Sequence, residues 1–235
     1  MQRSKLSVIL HLPYVAYCAV TFTVLGLAVL ALILVLPNLR RRRLVARVAS
    51  SAFMRLSGIP VALMGAERLP NIPCVVVANH ASYIDAIVMV AALPPDFAFV
   101  IKKEMAHAPL AGLLLRRLGS EFVERFDRHK GASDARRVLK LAATGQSLMF
   151  FPEGTFDETR QIRKFLGGAF TTAARSKMPV VAVAIHGSRE VMPPGGAMIY
   201  PRPIRVEILD VLPADEARLR SRELIAAAVG EPLAP

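Results

Sequence analysis

Tryptophan is absent, and aromatic residues make up only 6% of the 235 positions. A nucleic-acid surface that stacks bases needs aromatic residues interleaved with basic ones, and this chain has no such interleaving. Its two cysteines, Cys18 and Cys74, suggest neither a disulfide framework nor a zinc site. No G-x-S-x-G stretch occurs, which argues against a lipid hydrolase with a serine nucleophile. Carboxylates are scarce as well: 18 Asp and Glu stand against 30 Lys and Arg, for a net charge of +12. No internal repeat is visible.

What is abundant is apolar. Hydrophobic residues account for 54% of the chain, and the mean hydropathy is +0.43. The excess is concentrated in Leu12 to Leu36, a run without a charged residue. About 20 apolar residues cross a bilayer as a helix. A cleaved signal peptide is the competing reading. It fits less well, because the run is long and "PNLRRRR" follows where small residues would mark cleavage. Arg40, Arg41, Arg42, Arg43 and Arg47 lie after the run, and only Arg3 and Lys5 before it. The excess of positive charge places residues 40 to 235 on the cytoplasmic face of the cell's inner membrane. A helix dipping into one leaflet would give the same sidedness. The overall basic charge then reads as attraction to anionic lipid headgroups. Residues 44 to 57 read as an amphipathic helix on the membrane or as an ordinary packed helix. The expected division is a membrane-anchoring part, 1–57, and a domain, 58–235.

Beyond Pro60 the pattern changes. "VALMG", "CVVVAN", "FAFVI", "EFVE", "SLMFF", "PVVAVAI" and "IRVEIL" read as short strands. Helical patterns lie between several of them, at Tyr83 to Leu93, Ala111 to Leu118, Ala132 to Ala143 and Ala169 to Ser176. A last helix is expected over Asp215 to Val229, with a frayed tail "GEPLAP". Alternation of this kind indicates an α/β domain with a mostly parallel central sheet flanked by helices. Sites in such sheets gather beyond the carboxyl ends of the strands.

"NHASYID", Asn79 to Asp85, lies at one such end. His80 falls where strand gives way to helix. Ser82 and Asp85 match a capping box, with Ser82 as N-cap and Asp85 at the third helical position. The same placement lets the Asp85 carboxylate reach the imidazole, fix its tautomer and leave the other ring nitrogen as a general base. "MFFPEGT", Met149 to Thr155, is a second strand ending in a turn. Pro152 stops the strand, and the amides of Glu153-Gly154-Thr155 can cradle a phosphate. Lys102, Lys103 and Arg125 supply positive charge near other strand ends. His11, His107, His129 and His186 carry no assigned chemistry. The methionines read as core filler, and "PPGG", Pro193 to Gly196, as a turn.

The ordered set "NHASYID", "FVIKKEM…P…G", "GSEFVER", "FFPEGT" and "MPVVAVAIHGSR" resembles the glycerophospholipid acyltransferase family, of the 1-acyl-sn-glycerol-3-phosphate acyltransferase type. The resemblance spans roughly Gly58 to Leu212. It implies transfer of a fatty acyl group from acyl carrier protein or coenzyme A to the free hydroxyl of a lysolipid, giving phosphatidic acid when the acceptor is lysophosphatidic acid. There would be no covalent acyl-enzyme, no bound cofactor and no metal. His80 would take the hydroxyl proton and Asp85 would orient it. Arg125, Glu153, Gly154 and Thr155 would hold the acceptor, with Asn79, Lys102 and Lys103 contributing.

Two positions depart from the pattern. Phe156 and Asp157 follow "FPEGT" where a basic residue is frequent, and "FLGGAF", Phe165 to Phe170, stands where a lysine-rich block is common. Arg160, Arg163 and Lys164 are the basic residues at hand to compensate. These departures leave a different acceptor open, such as a lyso-aminolipid. Ala182, where a proline is frequent, is a strand detail. A non-catalytic lipid-binding protein is the rival from another class, and the intact set of His80, Asp85 and Glu153 argues against it.

Overall fold

The computed structural model describes residues 5–124, 128–196 and 198–235. The long apolar run forms α1 (Lys5–Val35), and α2 (Leu39–Leu56) turns back from it, with the Asn38 side chain capping α2 through the Arg41 N–H. Then follow β1 (Val61–Met64), β2 (Val75–Ala78), α3 (Asp85–Ala92), β3 (Phe97–Lys102), α4 (Ala111–Arg117), β4 (Glu121–Val123), α5 (Arg128–Ala143) and β5 (Ser147–Phe150). The chain closes with α6 (Gly168–Arg175), β6 (Val180–His186), α7 (Ser188–Val191), β7 (Ile204–Leu212) and α8 (Ala217–Val229). All seven strand runs read from the sequence are present, with α3 shorter than expected at its start.

The seven strands form one sheet in the order β1-β7-β6-β2-β5-β3-β4. Five of them, from β6 to β4, run parallel; β1 and β7 run with each other and against β6. Parallel strands are covered on both faces and so read as unbroken apolar runs. In "VVVA" of β2 every residue is buried. Alternation sorts those side chains between two layers. Val76, Ala78, Met149 and Val183 face α1, α2 and α3, while Val75, Val77, Phe150 and Ala182 face α5, α6 and α8. Ala182 stands beside a register shift between β6 and β7.

α1 and α2 belong to this core. Cys18, Phe53 and Met54 pack in one cluster with Val76 and Met89. α1 is held at both ends. His11 Nε2 lies 2.7 Å from the Ile199 carbonyl, and the Tyr14 hydroxyl donates to the Ser57 carbonyl at 2.6 Å. Near the other end, Val29 and Ile33 pack with Ala46, Val90, Leu114 and Leu118. Its outer side leaves Leu12, Val20, Val24, Leu27 and Leu32 exposed.

The arginine cluster is put to structural use. Arg43 is buried and donates to the carbonyls of Leu118 and Gly119 and to Gln146 Oε1. Arg42 donates to Leu36 and Arg117, Arg47 to Ala91, and Arg40 to Asp96. Several of these carbonyls end helices, where a cation is favoured. The tail is also tied down: Arg222 and Ala234 N–H link it to Ile162 and its neighbours. The expectation of a frayed end fails because these backbone groups are paired.

Candidate active site

Parallel strands deliver their carboxyl ends to one edge. Asn79-His80 follow β2, Lys102-Lys103 end β3 and open the next turn, and Phe151 to Thr155 follow β5, all on that edge.

At its centre His80 Nδ1 lies 2.9 Å from Asp85 Oδ2. The same oxygen accepts the N–H groups of Ala81 at 2.7 Å and Ser82 at 2.8 Å. Two backbone N–H groups already make this oxygen an acceptor, an arrangement that suits a tautomer with hydrogen on Nδ1 and an unprotonated Nε2. The Asp85 side chain is fully buried, and its Oδ1 has no partner among the described residues. One Asp85 oxygen thus meets both the imidazole and the turn that leads into α3. Asp85 opens α3 instead of sitting at its third position, and Ser82 spends its hydroxyl on the Met192 carbonyl and the Ile84 N–H.

Three aromatic rings surround the dyad. Phe151 stacks on the imidazole at 4.3 Å, and Phe156 meets it edge-on at 4.5 Å. Tyr83, largely exposed, packs edge-on against Phe156 at 4.8 Å. Sequence reading noted Phe156 only as a departure and missed Phe151 and Tyr83. Their one available signal was aromatic character inside the two blocks.

Glu153 is buried and both its oxygens are taken. Oε1 accepts the His80 N–H at 2.8 Å, and Oε2 accepts the Arg163 N–H at 2.8 Å. Burial pushes its carboxyl up to about 7, against the pull of those two N–H bonds. Gly154 has φ 78, a left-handed turn that glycine adopts readily, and Thr155 is exposed beside it. The Asn79 amide bonds both backbone groups of Ile185, tying β2 to β6. Lys102 is exposed at the end of β3, and Lys103 lies within electrostatic reach of Asp134. Arg125 and the loop around it lie outside the described residues.

The arginines beyond the turn are paired, and Lys164 is exposed. Arg163 meets Asp157, Arg160 meets Glu190 at 3.0 Å, and Arg189 donates to the Asp157 carbonyl at 2.7 Å. His186 stands against Glu207 and Arg205. No group of three or more His, Cys, Asp or Glu side chains that could hold a metal occurs among the described residues. On the α1 side of the sheet lies an apolar cavity of about 310 Å³, lined by Leu25, Val29, Ile87, Val90, Phe99 and Leu114 among others.

Residues 60–186 match the family model described as Acyltransferase. A chloroplast 1-acyl-sn-glycerol-3-phosphate acyltransferase of Brassica napus is 31% identical over 172 residues, 68% of this chain and 49% of that one. A lyso-ornithine lipid O-acyltransferase of Pseudomonas aeruginosa is 32% identical over 141 residues, 58% of this chain and 52% of that one. The chain spans about half the length of these curated relatives. The crystal structure of the 1-acyl-sn-glycerophosphate acyltransferase of Thermotoga maritima superposes with a TM-score of 0.76 at 22% identity, covering 96% of each chain. That likeness establishes the fold.

Proposed function

The chain belongs to the acyltransferase family, and from that premise we propose that it transfers a fatty acyl group from a thioester of acyl carrier protein or coenzyme A to the free hydroxyl of a lysolipid. The acceptor we assign is 1-acyl-sn-glycerol 3-phosphate, which gives phosphatidic acid. The observation that carries the reading is the 2.9 Å contact of His80 Nδ1 with a fully buried Asp85, which leaves Nε2 as the base.

The step balances without a covalent enzyme intermediate. Nε2 removes the acceptor's hydroxyl proton as its oxygen attacks the thioester carbonyl carbon. The imidazolium that forms has its counter-charge on Asp85. Collapse of the tetrahedral intermediate breaks the carbon–sulfur bond, and the departing thiolate takes the proton back from Nε2. The products are a diacyl lipid and a free thiol, and His80 returns to its starting state. Glu153 supports the step by pinning the His80 backbone. Lys102, Lys103, Arg125, Gly154 and Thr155 form the acceptor's polar surroundings, and the apolar cavity takes an acyl chain.

A second acceptor is favoured by a specific observation. Phe156 occupies the edge of His80, and the nearby Arg160 and Arg163 are already paired with carboxylates. A phosphate-free lyso-aminolipid suits that lining, and the Pseudomonas relative is named for such an acceptor.

We assign the site to the cytoplasmic face of the inner membrane, with residues 1–57 as its lipid-contacting layer and 58–235 as the acyltransferase domain. α1 is long and apolar enough to span a bilayer. A spanning helix would carry one end about 30 Å away across the hydrocarbon. Contacts to the rest of the protein at both ends of α1 favour a helix lying within one leaflet.

The test is transfer of a labelled acyl thioester by the purified protein to lysophosphatidic acid and, separately, to a lyso-aminolipid, with His80→Ala as blank. Product from lysophosphatidic acid supports the first assignment. Product from the aminolipid alone selects the second. Failure of both to exceed the blank overturns the acyl-transfer reading.

A further inference from the structure

We propose that the turn carrying Leu110 is a second membrane-contact point, inserting into the same lipid leaflet as the outer face of α1. The inference rests on the reading of α1 as a helix within one leaflet.

Leu110 is 60% exposed. Its backbone sits at φ 57, ψ −50, and the Ala111 N–H donates to the Pro109 carbonyl across it. This is a γ-turn of the rarer, positive-φ kind, strained for any residue with a side chain and most for a bulky one. Such strain persists only where the surroundings impose it. They do so here. A Cβ on Gly112 would lie 2.4 Å from the Ala106 carbonyl oxygen, so only glycine fits. The Arg116 guanidinium donates to that same carbonyl at 2.7 Å, and Leu114 N–H bonds the Leu110 carbonyl at 2.8 Å. A rigid frame therefore holds a large apolar side chain away from the protein.

In water that arrangement combines strain with exposure. Against lipid, the same exposure becomes burial. The position is right for it. Leu113, one turn on, is also exposed, while Leu114 of the same helix and Leu118 just after it pack on the cluster of Val29 and Ile33 of α1. α1 in turn exposes Leu27 and Leu32. Lys103, Arg116 and Arg117 flank the turn against one carboxylate, Glu104, a net positive charge that suits an anionic headgroup layer.

The experiment places a nitrobenzoxadiazole fluorophore on single cysteines in the full chain. The native Cys18 and Cys74 are buried. The sites are Leu110→Cys, Leu27→Cys on α1, and Leu219→Cys on α8 across the sheet. The protein is reconstituted on vesicles of phosphatidylcholine and phosphatidylglycerol, with and without doxyl-labelled lipid. The inference expects blue-shifted emission and at least twofold quenching at 27 and 110, and neither at 219. Quenching at 27 without quenching at 110 overturns it and leaves α1's lipid contact standing. Quenching at none of the three overturns both. Equal quenching at all three also overturns it, as adsorption without orientation. Because no turnover is read, the acyl-transfer assignment is tested separately. If Leu110→Cys lowers the melting temperature, Leu113→Cys takes its place.

Discussion

Glu153 Oε1 accepts the backbone N–H of His80 at 2.8 Å, across 73 residues of chain. Its other oxygen holds the Arg163 N–H. One buried carboxylate thus fastens the turn after β2 to the loop that follows β5.

Glu153→Gln keeps the shape but replaces one acceptor oxygen with a donor. One of the two backbone N–H groups is left without a partner, which costs about 1–3 kcal/mol of stability. His80 loses its fixed position, and turnover falls roughly 10- to 100-fold. The carboxyl's rise from 4.5 to about 7 also sets a pH signature. A raised value means the folded state favours the protonated form. That stabilisation is complete below 4.5 and disappears as pH rises through about 7. Melting temperatures of wild type and variant between pH 4.5 and 8 should show wild type losing part of its advantage over this window. A constant difference would count against the assignment.

His80→Ala should abolish transfer while the protein stays folded and membrane-bound, and turnover like wild type would sink the mechanism. Asp85→Asn should lower turnover about 100- to 10,000-fold through loss of the oriented imidazole. Because Asp85 also accepts the Ala81 and Ser82 N–H groups, stability will fall as well. The deciding quantity is turnover per folded molecule, which a purely capping role would leave intact.

Phe156→Arg should change acceptor preference. A guanidinium on this edge of the site can make a charge-assisted bond to phosphate, a gain of roughly tenfold or more in kcat/KM for lysophosphatidic acid relative to a phosphate-free lysolipid. An unchanged ratio would mean that the acceptor's headgroup lies elsewhere.

Arg43→Met removes the donor to Leu118, Gly119 and Gln146. A loss on the order of 3 kcal/mol is expected in chemical unfolding, since buried acceptors lose charge-assisted bonds. The exposed neighbour Arg41→Ala should shift stability by less than about 0.5 kcal/mol. Equal effects would mean that the cluster acts through its total charge.

The α/β class, the seven strands and the two blocks at strand ends were legible in the amino-acid order. They were so because fully buried parallel strands demand unbroken runs such as "CVVVAN" and "PVVAVAI", and because His80 and Asp85 are near in the chain. That order also showed that Leu12 to Leu36 must meet either lipid or protein. That one side of this helix packs on the domain came from the folded chain alone, because contacts such as His11 with Ile199 join residues 188 apart. The same holds for the duties of the arginines and Asn79. Their charge or polarity is visible in the sequence, but the carbonyls and N–H groups they satisfy are set by packing. Glu153 is the clearest case. The turn that presents it is local, but its partner is the backbone of His80, which carries no side-chain signature at all. Phe151 and Phe156 stand against His80 for a related reason: β2 and β5 are sheet neighbours though far apart in sequence, and only strand order makes them so.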